Sequence, residues 1–225
     1  MTVQRLRVKY GRTGDLQYVA HLDLMRMWIR VFRRAGIPFA YSGKHAPRPR
    51  LAIGAALPIA VTSEGELLDV FLRRRLSPFY FLQKVEPQLP QGLTVSEVND
   101  VPIDAPSLQS LVRQAEYRVR VSVGDDPDRL QREVRKFLAA ESVPWEHLRE
   151  QSLRRYDLRK LVYELWVEGK ANGQATIGML LKNDPEASGR PEQVVAALGV
   201  DNPPDEIHRT RLVLADPPKP RRSRR

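Results

Sequence analysis

No cysteine occurs among the 225 residues. That excludes disulfides, thiolate zinc sites, cysteine nucleophiles and cysteine-ligated iron–sulfur clusters within the chain. Histidine is scarce too: His21, His45, His147 and His208 are the full set, and no pair has the short spacing of a local metal site. We therefore expect neither a metal nor a cofactor. No run approaches the ~18 consecutive apolar residues of a membrane helix, and the N-terminus enters a charged, alternating pattern at once rather than an apolar leader. The expectation is a cytoplasmic chain with no membrane partner.

What the chain does have is enough apolar residue for a core, 42%, and a formal charge of +10 that is unevenly spread. The first 50 residues hold eleven Lys/Arg against Asp15 and Asp23 alone, and the nine residues from Pro217 add five more basic side chains with no acid. The long middle is mildly acidic. A cationic excess concentrated at the ends points to a polyanionic partner, RNA above all, rather than an apolar or cationic one.

Alternation of Val3, Leu6 and Val8 with Arg5, Arg7 and Lys9 predicts a first strand, punctuated by Gly11 and Gly14. A helix over about 21–35 stops before Gly36 and Pro38. Strands are expected over Ile37–Ser42, Leu51–Ile59 and Glu66–Leu72. Ser77-Pro78 then opens a helix as cap and first residue, running to about Gln88, and Leu93–Val98 closes the half. After a proline-containing connector, Asp100–Pro106, a similar order returns: a strand over Tyr117–Val123, a helix from Pro127 to about Ala140, a hairpin of Leu161–Glu168 with Ala175–Leu181, a short helix over Pro191–Leu198 and a last strand over Ile207–Leu214. The expected fold is α+β, two tandem ferredoxin-like (βαββαβ) units over 1–100 and 115–215. Residues 216–225, rich in Pro and Arg, bury no apolar area and are expected to be a disordered basic tail.

At 100° per residue, Asp23, Arg26, Arg30, Arg33 and Arg34 share one arc of the first helix, opposite Leu24, Met27, Trp28, Val31 and Phe32. Such a stripe is either a solvated face or a phosphate-contacting one. Four arginines against one acid is unbalanced, and arginine suits bidentate phosphate contact. The loop Lys44-His45-Ala46-Pro47-Arg48-Pro49-Arg50 offers Lys44, Arg48 and Arg50 on a proline-stiffened backbone, or else is a plain rigid crossover. A third basic stretch, Arg149, Arg154, Arg155, Arg159 and Lys160, is interleaved with Glu146, Glu150 and Asp157, which favours internal salt bridging. His21, at the start of the first helix, is a candidate general acid or base, a phosphate-binding imidazole, or a structural histidine capping that helix. Glu64, Glu66 and Asp69 read as an acidic strand edge or a metal-binding cluster.

The runs Val8-Lys9-Tyr10-Gly11, Tyr18-Val19-Ala20-His21-Leu22-Asp23-Leu24-Met25-Arg26 and Arg30-Val31-Phe32-Arg33-Arg34-Ala35-Gly36-Ile37-Pro38 resemble the radical SAM-associated family of uncharacterised bacterial proteins. The resemblance continues through Tyr41-Ser42, Pro47, Pro49, Leu57-Pro58, Ser63 and Glu66, and reaches Asp157-Leu158-Arg159 with Val162. It implies a partner, a radical SAM protein encoded beside the chain or fused to it, and a genomic setting of RNA-processing and ribosomal genes. The chain departs from the family's Gly-Phe-Asn-Pro-His-Pro loop, placing Ala46 at the asparagine and Arg48 at the histidine. Arginine keeps anion binding but not proton transfer near neutral pH, which favours binding over catalysis.

Three functions follow as expectations. One is an accessory protein that binds RNA, ribosomal RNA or tRNA, and presents substrate to a radical SAM enzyme, with Arg26, Arg30, Arg33, Arg34, Lys44, Arg48 and Arg50 on phosphate. The second, by fold analogy, is a metal-independent RNA-processing endonuclease with His21 as acid or base and Lys44 or Arg48 stabilising the phosphorane. The third is a scaffold whose basic face docks an acidic protein.

Overall fold

The computed structural model describes residues 1–43, 45–123, 128–149, 152–171 and 173–216; Lys44, Pro127 and the tail from Pro217, on which expectations fell, lie outside the described residues. The first half comprises β1 (Gln4–Arg12), a 3-10 turn (Gly14–Tyr18), α1 (His21–Arg34), a small hairpin of β2 (Tyr41–Ser42) and β3 (Arg48–Pro49), β4 (Leu51–Ile53), β5 (Val61–Leu72), α2 (Pro78–Val85) and β6 (Leu93–Val101). The second comprises α3 (Leu108–Leu111), β7 (Val112–Ser122), α4 (Arg129–Ala139), a separate hairpin of β8 (Pro144–Arg149) and β9 (Ser152–Asp157), β10 (Val162–Ala171), β11 (Gln174–Lys182), α5 (Pro191–Ala197) and β12 (Glu206–Leu214).

The result is a mixed α+β fold on one eight-stranded sheet, ordered β10-β11-β7-β12-β5-β1-β6 with β4 also on β5. Two tandem units do not describe this fully, because both halves feed a single sheet. Every pairing within it is antiparallel except β12 with β5, which runs parallel over Ile207–Val61, His208–Thr62 and Arg209–Ser63. One side of β5 is thus divided, its start taken by β12 and its end, Leu68 to Val70, by β4.

Between these two pairings lies Gly65. A Cβ there would stand 2.1 Å from the Thr210 carbonyl oxygen and 2.6 Å from Arg211 Cα, so only glycine lets the two backbones approach this closely. Each strand is irregular at the same place, with register shifts between Tyr10 and Arg12 against β5 and between Arg209 and Arg211 against β7. Next to Gly65, Glu66 accepts hydrogen bonds from Arg209 Nε at 2.7 Å and from its Nη2, and both side chains are about 1% exposed. Arg209 lies opposite Tyr117, and Glu66 opposite Tyr10.

Helix α1 forms because its apolar residues repeat at helical spacing: Leu24, Trp28, Val31 and Phe32 are buried. They meet Leu6, Val8 and Tyr10 of β1 and Leu68, Val70 and Leu72 of β5. Aromatic contacts run from Tyr10 to Trp28 (5.1 Å), Trp28 to Phe32 (5.0 Å) and Phe32 to Phe81 of α2 (5.4 Å). In the second half, Leu130, Val134 and Phe137 of α4 and Val194 and Val195 of α5 cover β7 and β11. Strand alternation lets β5 serve both cores, with Leu68 and Val70 in the first and Leu67 against the second.

Several expected boundaries move. Only Tyr41–Ser42 of the run Ile37–Ser42 forms a strand, and Leu51–Ile59 shortens to three residues, since this segment leaves the sheet to build the hairpin. β5 starts at Val61, ahead of the apolar alternation, because buried Ser63, Gly65 and Glu66 face the junction with β12 rather than solvent. Pro87 turns the end of the second helix into a 3-10 segment, Glu86–Gln88. The connector Asp100–Pro106 is no free linker: buried Arg5 donates to the carbonyls of Ala105 (2.7 Å) and Pro106 (2.9 Å).

If the Glu66–Arg209 pair holds the junction, Glu66→Gln will lower stability to urea by about 3–5 kcal/mol, because it leaves a buried guanidinium without its charge partner. The double variant Glu66→Leu/Arg209→Met will recover most of that loss in the same titration. Gly65→Ala, which forces the backbones apart, will cost about 1–3 kcal/mol or more.

Candidate functional site

The arginine stripe of α1 is exposed as the helical projection predicts: Arg26, Arg30, Arg33 and Arg34 all face solvent. Their chemistry differs. Arg26 pairs with Asp23 at 2.7 Å on an open surface, an interaction of little energetic weight. Arg34 Nη2 donates to the Gln88 carbonyl at 2.8 Å. Arg30 and Arg33 have no hydrogen-bonding or ionic partner among the described residues.

The basic loop is the β2–β3 hairpin, in which Ser42 pairs with Arg48 and Tyr41 with Pro49. Arg48 is exposed and without a side-chain partner among the described residues. Arg50 is occupied: its guanidinium lies 4.2 Å from the centre of the Phe71 ring, and Nη1 donates to Thr2 Oγ1 at 2.7 Å. The structure thus separates Arg48, free to meet a ligand, from Arg50, which fastens the hairpin base to β5.

Sequence reasoning missed the strongest part of this surface. Arg73, Arg74 and Arg75 follow β5 directly, all exposed and all without a side-chain partner among the described residues. The signal was plain, three consecutive arginines before a helix cap. Arg74 and Arg75, with Lys84 and Tyr80 of α2, line a cleft of about 270 Å³ whose other wall is the turn 35–38 that follows Arg33 and Arg34. The α1 stripe and the arginine triplet therefore flank one turn. The same end of β5 also anchors the hairpin, through Phe39 bridging Leu72, Ala40 N–H donating to Phe71 and Arg73 N–H donating to Pro38.

Much of the N-terminal charge, by contrast, is buried structure. Asp69, fully buried, accepts from Arg5 Nε at 2.8 Å and from Arg7 Nε at 2.8 Å. Arg12, also fully buried, donates to the carbonyls of Val19 (3.0 Å), Pro58 (2.7 Å) and Val61 (2.9 Å), tying two loops together. Burial draws the Arg12 guanidinium below its ordinary pKa, opposed by the Glu66 carboxylate. Burial likewise pulls Arg209 down, but Glu66 and Tyr117 outweigh it and hold that group above its ordinary value. Tyr10 is raised far above a free phenol by burial and then by Glu66. The expected acidic strand edge is corrected here. Strand β5 is central, Glu66 and Asp69 are turned onto arginines, and the described residues hold no cluster of His, Asp and Glu fit for a metal.

Of the histidines, His21 is the first residue of α1 and half-buried; Ala20, not His21, is the cap, and His21 has no hydrogen-bonding partner among the described residues. His208 stands at the junction of the halves, Nδ1 2.8 Å from Thr62 Oγ1 and Nε2 3.8 Å from Glu64. A second cleft of about 580 Å³ opens beside it, but its charges are internally balanced, with Arg120 paired to Glu206 at 2.9 Å. In the third basic stretch, the expected internal salt bridging holds for Arg155, which pairs with Glu146 at 2.6 Å, whereas Arg159 donates to the Val162 carbonyl and Arg154 is exposed without a partner among the described residues. No helix among the described residues is long and apolar enough to cross a membrane.

Comparison with known proteins gives a family and a fold. Residues 5–191 match the profile of a family described as "Uncharacterized protein conserved in bacteria (DUF2344)". No curated protein matches the sequence. Among solved structures, a chain of a Cbf5–Nop10–Gar1 complex superposes with a TM-score of 0.53 at 13% identity, over 92% of this chain and 48% of that one. A chain of the archaeal box H/ACA sRNP Nop10–Cbf5 complex gives 0.50 at 13% identity, over 94% and 49%. This chain spans about half the length of those chains, and the likeness is one of fold.

The division between free and structural arginines is testable by denaturation. Arg30→Gln and Arg33→Gln will leave stability within about 0.5 kcal/mol of the parent. Arg5→Gln, which leaves buried Asp69 to Arg7 alone and strips the connector carbonyls of their donor, will lower it by about 2–3 kcal/mol in the same assay.

Proposed function

The chain belongs to that uncharacterised family conserved in bacteria, and from this premise we propose that it is an RNA-binding accessory protein. The observation that carries the reading is a group of exposed arginines without protein partners among the described residues, Arg30, Arg33, Arg48, Arg73, Arg74 and Arg75, gathered around one end of β5 and the turn after α1. Unmet like charges repel one another and lower stability, so a surface that keeps them is suited to a ligand that neutralises them. Arginine forks match phosphate oxygens in pairs, and a phosphate backbone supplies those oxygens in series. The fold shared with a chain of an archaeal box H/ACA sRNP complex supports an association with RNA.

In this reading Arg26 and Arg34 exchange weak surface contacts for phosphate, while Arg50 sets the hairpin rather than touching the ligand. Each half, by its strand order, is taken as a ferredoxin-like unit. The radical SAM partner implied by the sequence resemblance completes the reading: the cysteine-free chain binds and presents RNA, and the partner supplies the radical chemistry.

Fluorescence anisotropy with a labelled single-stranded RNA tests it. The logarithm of the affinity will fall linearly with the logarithm of salt concentration, with a slope of about −0.7 per phosphate neutralised. Arg30→Gln/Arg33→Gln will weaken binding and make the slope shallower by about 1.4. Affinity that ignores salt, or survives loss of both arginines unchanged, sinks the reading.

A further inference from the structure

Arg74 and Arg75 differ from the other free arginines in that they line a cleft rather than an open face, and their backbone is clamped on both sides. On one side Arg73 N–H donates to the Pro38 carbonyl at 2.9 Å. On the other, the amide of Gln4, 5% exposed, grips Leu76 twice: Oε1 accepts from the Leu76 N–H at 2.8 Å and Nε2 donates to the Leu76 carbonyl at 2.8 Å. The same Nε2 donates to Asp100 at 2.7 Å, which holds Gln4 in place. A buried glutamine spent on a loop backbone fixes residues 73–76 in one conformation, so little ordering cost is left when a ligand arrives.

The opposite side of the cleft presents Lys84, whose Nζ lies 5.4 Å from the centre of the Tyr80 ring one helical turn away. That contact holds the ammonium without neutralising it, as a carboxylate would. No acidic side chain among the described residues lines the cleft. The remaining wall, Ala35 to Pro38, is the C-terminal turn of α1, whose dipole by itself disfavours an anion by about half a charge. Three full positive charges outweigh that, and the last carbonyls of α1 are already capped by the N–H groups of Ala35, Gly36 and Ile37. Gly36, at φ +67°, makes this compact turn.

A partly open cleft of about 270 Å³ that gathers three cations suits the middle of a strand poorly, because each phosphodiester there bears one charge and chain continues on both sides. It suits a terminus. A phosphomonoester carries about −1.5 to −2 at neutral pH and three free oxygens, enough for both arginines and the lysine together. We propose that this cleft binds the terminal phosphomonoester of a single-stranded RNA through Arg74, Arg75 and Lys84, with the terminal nucleoside against Tyr80. The inference rests on the RNA-binding reading and assigns a distinct task within that surface: α1 and Arg48 follow the chain, and the cleft holds its end.

The test compares one short single-stranded RNA in three forms, with a 5′-phosphate, with a 3′-phosphate, and with hydroxyls at both ends, bound to the full chain. At least one phosphorylated form will bind about tenfold more tightly than the hydroxyl form. In Arg74→Gln/Arg75→Gln, whose side chains are exposed and whose thermal midpoint should match the parent's, that ratio will fall to one. In Arg30→Gln/Arg33→Gln all three forms will weaken together and the ratio will persist. Equal binding of the three forms by the parent, or a ratio that survives Arg74→Gln/Arg75→Gln, overturns the inference. If equal binding is still salt-dependent, the RNA-binding reading stands and only the terminal site falls; if no form binds, both fall.

Discussion

The buried ion pair between Glu66 and Arg209 is the constraint on which the sheet depends. It sits where the one parallel pairing among the described residues, β12 with β5, ends, beside a glycine that lets the two backbones come together. Burying two charges is costly, and the cost is met here by paired Nε and Nη2 bonds, by Tyr117, and by the carbonyls of Ala55 and Ala56 at 3.3 Å. Misalignment of β12 by one residue would strand both charges. The pair therefore acts as a register lock, making one eight-stranded sheet out of two sets of four strands.

The same logic recurs at smaller scale. Arg5 binds Asp69 and the connector carbonyls, and Arg12 binds the carbonyls of Val19 on one loop, of Pro58 just before β5 and of Val61 at its start. Arg12 and Arg209 are among the largest fully buried side chains, beside Trp28 and Tyr10. Guanidinium suits this work because five donors in one plane can satisfy several carbonyls at once and it stays charged. A protein that uses arginine so heavily inside makes the arginines left unpartnered outside more informative, since partners were within the fold's reach and were not supplied.

Those free arginines share a region because the fold brings two chain segments together at the end of β5. Residues 38–40 bridge to 71–73, which sets the turn after α1 against the arginine triplet and roots the β2–β3 hairpin nearby. Rigidity there is local and specific: Gln4 clamps Leu76, Arg50 stacks on Phe71, and the core aromatics hold α1 and α2 against the sheet. A surface so fixed meets a flexible polyanion with little ordering cost of its own.

Short-range periodicity made much of this legible in the sequence. The apolar repeat of Leu24, Trp28, Val31 and Phe32 placed α1 and turned its arginines outward, and Ser77-Pro78 marked the start of α2, as the Ser77 hydroxyl accepting from Tyr80 N–H bears out. The hairpin of β10 and β11 was visible in its alternation and its glycines, while β8 and β9 and the early start of β5 were not, because their residues lack the apolar alternation that marks a half-buried strand. Charge identity was equally plain, but not charge fate. Arg209 and Glu66 lie 143 residues apart and Arg5 and Asp69 lie 64 apart, so whether a guanidinium is a buried latch or a free contact depends on which carboxylate or carbonyl the fold delivers to it. Sequence determined where the cations are and which helix face bears them; tertiary structure alone decided which remained unpaired, because pairing is set by distance in space and not along the chain.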